Sequence, residues 1–390
     1  MKLFFILQLF LVIIYAPIIN DTSRQWEIKI KYKIDSSVYR DYIVMAVNMI
    51  GKYSCVDLEN DNYIKDTENG IKFIWGDSCR SERIGKHTES KINIIYISYK
   101  CRYNIVWIQA MILEALGIYP EQTRRDRDHY IEVYYNNIKE GCSFDYFINS
   151  PNFTTNYDTN YDFGSVTQYW PRSCSKNVYD TISPYGDYKD IYEKMMGQKL
   201  NVAFNDYKLL NRYFCNDTCH YIRPELHCRR RGYRHPLICL KCLCPFPFTG
   251  VNCENLYSSS SNCPYHHLMA SVNYTESITF RESRKCYTII EAKNPGKHVK
   301  LTLTSQTLDN FSPCTRTDGM IEVKYREDKS VMGLCLCGYI TSPVTITSED
   351  THVVIAYLGS SRYHSAKFLY TAIQNKNPVR ISNNDDSLLD

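Results

Sequence analysis

The chain has 390 residues, a formal net charge of +4 and 17 cysteines. So small a charge over this length excludes a global electrostatic field for nucleic acid or for a membrane surface. Cysteines at this density exclude a reducing compartment, and the length allows two or three domains.

Met1-Lys2 opens an apolar run from Leu3 to Ile19 in which Gln8 is the polar interruption. That outline predicts a secretory signal peptide within residues 1–20, cut between Ala16 and Asn20. A membrane anchor is the weaker reading, because Gln8 and Pro17 break a run already short for a span. The mature chain is therefore expected outside the cell, without a membrane span. Sequons at Asn20, Asn152, Asn216, Asn273 and Asn310 are glycosylation candidates in such a compartment; the first can leave with the signal.

Residues 21–215 read as an α/β or α+β domain. The alternation from Trp26 to Asp35 predicts a half-buried strand. Ser36 or Ser37 is placed to cap a helix running to about Lys52. Further strands are predicted over Ile71 to Trp75 and Ile92 to Ser98, and a second helix over Asn104 to Leu116 with Gly117 to end it. Two short helices come later, around Tyr188 to Met196 and Asn205 to Tyr213.

Residues 216–255 carry six cysteines spaced C-x8-C-x10-C-x2-C-x-C-x8-C from Cys219 to Cys253. Spacing alone leaves fifteen pairings open. Arg229, Arg230 and Arg231 make this stretch basic, so it is a possible polyanion contact, set against the plainer reading of a solvated loop. Residues 256–375 turn to short alternating strands, at His298 to Thr304, Met320 to Tyr325, Val344 to Thr347, His352 to Tyr357 and Lys367 to Tyr370. Strands so spaced predict a β-sandwich. His266-His267 read as linker surface. The polar stretch 376–390 reads as a disordered tail.

The segment Ala110-Met-Ile-Leu-Glu114-Ala-Leu-Gly117-Ile-Tyr-Pro120-Glu121-Gln122-Thr-Arg124-Arg-Asp126-Arg127-Asp128-His-Tyr130 resembles the active-site region of the astacin metalloproteases, H-E-x-x-H-A-L-G-x-x-H-E-Q-x-R-x-D-R-D-x-Y. Tyr161-Asp-Phe-Gly-Ser-Val-Thr167-Gln168-Tyr169 resembles the Met-turn of that family, usually Y-D-Y-G-S-V-M-H-Y. Cys242-Leu-Cys244 through Gly250 to Cys253 resembles an EGF-like module. Cys263, Cys286, Cys314 and Cys337-Gly338 give the last stretch a resemblance to a CUB domain. The resemblance implies an α+β metzincin-like (astacin) domain, then a small disulfide-rich EGF-like module, then an all-β CUB-like sandwich. It also implies zinc as cofactor and endopeptidase activity.

The residues at the key positions depart from that pattern. A metzincin site needs three imidazoles and a glutamate beside the first of them. Here the ligand positions hold Ala110, Glu114 and Pro120, and the general-base position holds Met111. The Met-turn methionine is Thr167, while Tyr169 stays where the family places a phenol near the metal. Between the signal and Cys215 the histidines are His87 and His129, too few for a three-histidine site. Zinc is therefore expected to be lost, with no functional catalytic residue, and the helix to be a core helix in which Met111 fills space.

Carried over from the families, the disulfides implied are Cys55–Cys215, Cys79–Cys101, Cys219–Cys239, Cys228–Cys242, Cys244–Cys253 and Cys263–Cys286. Cys142–Cys174 is an additional candidate, and Cys335 and Cys337 compete for Cys314. Asp318 matches a position where many CUB domains hold calcium. The expected function is that of an extracellular binding or decoy protein whose partner is a protein or a glycan; the alternatives are an active zinc endopeptidase and a noncatalytic companion of active relatives.

Overall fold

The computed structural model describes residues 18–19, 21–148, 154–222 and 226–374. The leader up to residue 17, Asn20, Asn152, Arg223 and the tail 376–390 lie outside the described residues. The described chain divides into two compact units, the first built mainly from residues up to Asn255 and the second mainly from Leu256 onward.

In the first unit the elements run β1 (Ile18–Ile19), β2 (Lys29–Ile34), α1 (Arg40–Tyr53), β3 (Asp57–Asn60), β4 (Ile71–Trp75), β5 (Arg80–Ser81), β6 (Asn93–Ile97) and α2 (Ile105–Ala115). Then come β7 (Ile131–Val133), β8 (Thr154–Thr155), β9 (Ile182–Pro184), α3 (Lys189–Met195) and α4 (Phe204–Phe214). The main sheet has the order β3-β2-β4-β6-β5, parallel except for the β5 edge. Parallel strands joined through helices are buried on the helix side, and Ile30, Phe73, Ile95 and Ile97 pack there with Ile43, Ala46 and Ile50 of α1 and Ile108 and Ile112 of α2.

Three differences from the sequence reading have local causes. The first helix starts at Arg40 after an N-cap Tyr39 that makes no side-chain cap bond. Ser37 is occupied elsewhere, its Oγ accepting from the Trp75 amide at 3.1 Å. Second, β3 and β5 add strands where there is no alternating apolar run; each is an edge held by ladder bonds to a neighbour. Third, Ile18 and Ile19 are wholly buried, pairing with Thr155 and Thr154, although the leader is expected to end at residue 20.

The cysteine-rich module holds β10 (Tyr233–Arg234), β11 (Cys242–Leu243), β12 (Phe248–Thr249) and the start of β13 (Asn255–Leu256). It has few aliphatics, so cross-links stand in for a core. Its bonds are Cys219–Cys239, Cys228–Cys242 and Cys244–Cys253. In the preceding domain Cys55–Cys215, Cys79–Cys101 and Cys142–Cys174 are closed.

The second unit is an all-β sandwich. Its strands are β14 (His267–Ala270), β15 (Glu276–Arg281), β16 (Lys285–Ala292), β17 (His298–Thr307), β18 (Met320–Lys324), β19 (Leu334–Leu336), β20 (Val344–Thr347), β21 (His352–Leu358) and β22 (Ser365–Ile373). One sheet has the order β14-β16-β21-β18-β19 and the other β15-β22-β17-β20. Phe280 of one sheet stacks on Tyr357 of the other with centroids 5.3 Å apart, which places the core between them. His267 belongs to a strand rather than a linker and meets Glu291 at 3.1 Å. Cys263–Cys286 pins the start of this unit. Cys314 and Cys337 are both disulfide-bonded. The seven other bonds use fourteen of the cysteines and Cys335 is a buried thiol, so Cys314 and Cys337 join each other.

Candidate functional site

The helix α2 is apolar on nearly every side, so the fold buries it rather than exposing one face. Asn104 starts it by accepting from the Trp107 amide at 2.9 Å. Gly117, at φ +113°, ends it in a conformation that costs a glycine little. A Cβ at residue 117 would meet Ile19 Cγ2 at 2.6 Å, so this glycine also makes room for β1. Ala110 and Met111 are in the core with Ile112 and Leu113, and Met111 keeps only 1 % of its surface exposed. Glu114 lies one turn further along α2. Pro120 then precedes a short 3-10 turn over Glu121–Thr123.

Beyond Pro120 the chain builds a scaffold of paired charges. Arg124 is buried and makes a two-pronged contact with Asp126 at 2.8 Å on each side, and it also donates to the Thr159 carbonyl. Arg127 donates to the Gln122 carbonyl and pairs with Asp128 at 2.7 Å. The side chains of Glu121 and Gln122 reach the second motif. Glu121 Oε1 accepts from the Asp162 amide at 2.9 Å, and Gln122 Oε1 from the Tyr169 amide at 3.1 Å. Burial pushes the Glu121 carboxyl up to about 8, against the Arg124 guanidinium.

The turn from Tyr161 to Tyr169 is held from its other side by Asp206 on α4. Its carboxylate accepts from Ser165 Oγ at 2.6 Å and from the Val166 amide at 3.0 Å. Burial raises its pKa to about 6. Thr167 is buried with its hydroxyl 2.9 Å from Ser165 Oγ, and Gln168 accepts from the Tyr161 phenol at 2.5 Å. The two motifs thus form one polar lattice, and its members are scaffold residues.

Around Glu114 the structure gathers groups that no spacing rule announces. Glu114 accepts from the Ser81 amide at 3.5 Å. Burial raises its pKa, opposed by the nearby Lys199 ammonium. Burial lowers that of Lys199, opposed by Glu114, and Lys199 donates to the Val166 carbonyl. Burial, with Glu114 and Asp145 beside it, raises the Tyr169 phenol well above its ordinary value. Lys199 comes from the loop after α3 and Asp145 from a 3-10 turn over Ser143–Tyr146, both far from α2 in sequence, which is why the motif reading missed them.

Of the residues at the three ligand positions, only Glu114 carries a donor atom. His87 is buried beside Glu82 at 3.7 Å, and His129 is exposed on a turn. Among the described residues the one grouping of three metal-ligating side chains is Cys142, Asp145 and Cys174, whose two sulfurs are joined in a disulfide. Asp318 is exposed and pairs with Lys285 at 2.9 Å. Asn216, Asn273 and Asn310 are exposed.

Residues 18–215 match the family model of the astacin peptidases. The chain belongs to the astacin family. Zinc metalloproteinase dpy-31 of Caenorhabditis elegans is 27 % identical over 357 residues, 87 % of this chain and 58 % of its own length. Zinc metalloproteinase nas-34 of the same organism is 28 % identical over 341 residues, 86 % of this chain and 54 % of its own. The chain therefore spans little more than half the length of these relatives. Among solved structures it is similar to high choriolytic enzyme 1, a hatching-enzyme zinc protease of Oryzias latipes, at 22 % identity and a TM-score of 0.41, covering 48 % of this chain and 93 % of that one. The fold is an astacin domain followed by a cysteine-rich module and a CUB-like sandwich. Its many disulfides and its relatives suit an extracellular setting, and among the described residues no helix is long and apolar enough to cross a membrane.

Proposed function

We propose that this astacin-family chain is a secreted, noncatalytic binding protein that has kept the scaffold of a metalloprotease and lost its zinc chemistry. The observation that carries this reading is the set Ala110, Met111, Glu114 and Pro120. Zinc takes nitrogen, sulfur or oxygen donors in a tetrahedral set. Methyl and pyrrolidine side chains supply none, a thioether cannot accept the proton of an attacking water, and one carboxylate does not hold the ion against water. The residues present do not fit the metal.

The electrostatics around Glu114 support the same reading. Burial pushes the Glu114 carboxyl toward its neutral form and the Lys199 charge only partly opposes this, so the one donor left at the ligand positions offers little negative charge to a metal. Meanwhile the links from Glu121 to Asp162 and from Gln122 to Tyr169 tie the two motif segments to each other. A scaffold kept without its reaction points to binding, with an extracellular protein or glycan as partner and the EGF-like and CUB-like modules as further contact surfaces. Metal analysis of the purified chain beside a chelator-sensitive peptidase assay tests it: zinc at background and no chelator-sensitive cleavage are expected, and turnover with bound zinc would return the chain to the peptidases.

A further inference from the structure

Between β10 and β11 the cysteine-rich module makes a short hairpin turn whose tip is aliphatic. Leu237, Ile238 and Leu240 are 59 %, 53 % and 67 % exposed. The turn is not a loose loop. Cys239 ties it to Cys219, and His235 Nδ1 accepts from the amides of Leu237 at 3.1 Å and Ile238 at 3.3 Å. Lys241 donates its amide to the Ile238 carbonyl, and the His235 amide donates to the Lys241 carbonyl. A backbone braced in this way displays its three aliphatic side chains in fixed positions.

The module around the tip is cationic. From residue 216 to residue 255 the sequence has six arginines and lysines, namely Arg223, Arg229, Arg230, Arg231, Arg234 and Lys241, against three acids, Asp217, Glu225 and Glu254. Arg229, Arg231 and Lys241 are exposed. An apolar point on a basic module is complementary to a surface that is negative outside and hydrocarbon beneath. A sulfated glycan would answer the cations and leave the aliphatic side chains in water.

The geometry points to the 236–241 hairpin as a lipid-surface anchor, with Leu237, Ile238 and Leu240 entering the headgroup layer of an anionic bilayer while the module's basic side chains meet its phosphates and carboxylates. This goes beyond the noncatalytic reading and does not depend on it, since neither zinc nor the cleft is involved.

Flotation of the full chain with phosphatidylcholine vesicles, with and without phosphatidylserine, tests it. Binding is expected only with phosphatidylserine, should weaken as salt rises, and should fall by about tenfold or more in Leu237→Ser/Ile238→Ser/Leu240→Ser. Those side chains are exposed, so the disulfide pattern should be unchanged. Ile238→Trp adds a positive readout, with emission that nitroxide-bearing lipid quenches. Equal flotation of the triple variant, or an Ile238→Trp signal insensitive to the quencher, overturns the proposal. Retention on heparin without vesicle binding overturns it in favour of a glycan, and binding to neither overturns it in favour of a protein groove.

Discussion

At Glu322 a carboxylate sits almost wholly buried on β18, paired with Arg316 at 2.7 Å and Lys324 at 3.3 Å, and accepting from the Gly333 amide at 2.8 Å. Burial alone would raise its pKa; the two cations and the hydrogen bonds prevail and hold it at about 2. A folded-state pKa below the unfolded one stabilises the fold above about pH 4.5, and that contribution is lost as pH falls toward 2. It amounts to about 3 kcal/mol. Glu322→Gln should therefore lower the melting temperature of the second unit at neutral pH and flatten the acid limb of its stability curve; an unchanged acid limb would contradict the pairing. Asp206 has the opposite sign. Its raised pKa favours the fold at low pH, and this is lost as pH rises from about 3.8 through about 6, so the two units should respond differently to acid.

At the scale of elements, α2 was legible because Asn104 caps it, Gly117 ends it and the residues between are apolar enough to demand burial. The short helices α3 and α4, and β17, β18, β20, β21 and β22 of the sandwich, were legible for the same reason of period and burial. The strand β1 was not, because Ile18 and Ile19 fall inside the apolar run that reads as leader, and one stretch of hydrophobicity serves two ends. We propose that leader removal lies before Ile18. N-terminal sequencing of the secreted chain should begin no later than residue 18, and a start at Asp21 would mean that β1 is dispensable. Gly117→Ala puts a methyl group where Ile19 already lies, at a positive φ, and should cost about 1 to 3 kcal/mol in thermal stability. In the sandwich, Cys335 is buried next to the Gly333 carbonyl. Alkylation without reduction should label Cys335 only once the chain is denatured, and peptide mapping should recover Cys314 linked to Cys337; a peptide linking Cys314 to Cys335 would contradict this.

For the whole molecule, the site separated into a legible and an illegible part along a physical line. The motif positions could be read from contiguous spacing: Ala110, Met111, Glu114 and Pro120, of which only Glu114 offers a carboxylate donor, followed by Glu121, Gln122, Arg124, Asp126, Arg127 and Asp128 that build the scaffold. The surroundings of Glu114 could not be read, since Lys199, whose charge acts on it, comes from the loop after α3 and only the fold brings the two near each other. Restoring the histidines tests whether that scaffold is intact. Ala110→His, Met111→Glu, Glu114→His and Pro120→His together should recover zinc binding, while zinc recovered without turnover would point to Thr167 and Gln168 as further lesions. The most direct measurement is the metal content of the unaltered, purified chain at neutral pH, read beside peptide cleavage with and without chelator. Background zinc and no chelator-sensitive cleavage are predicted; one equivalent of zinc that disappears in Glu114→Ala/Tyr169→Phe, together with turnover, would contradict the loss of zinc chemistry.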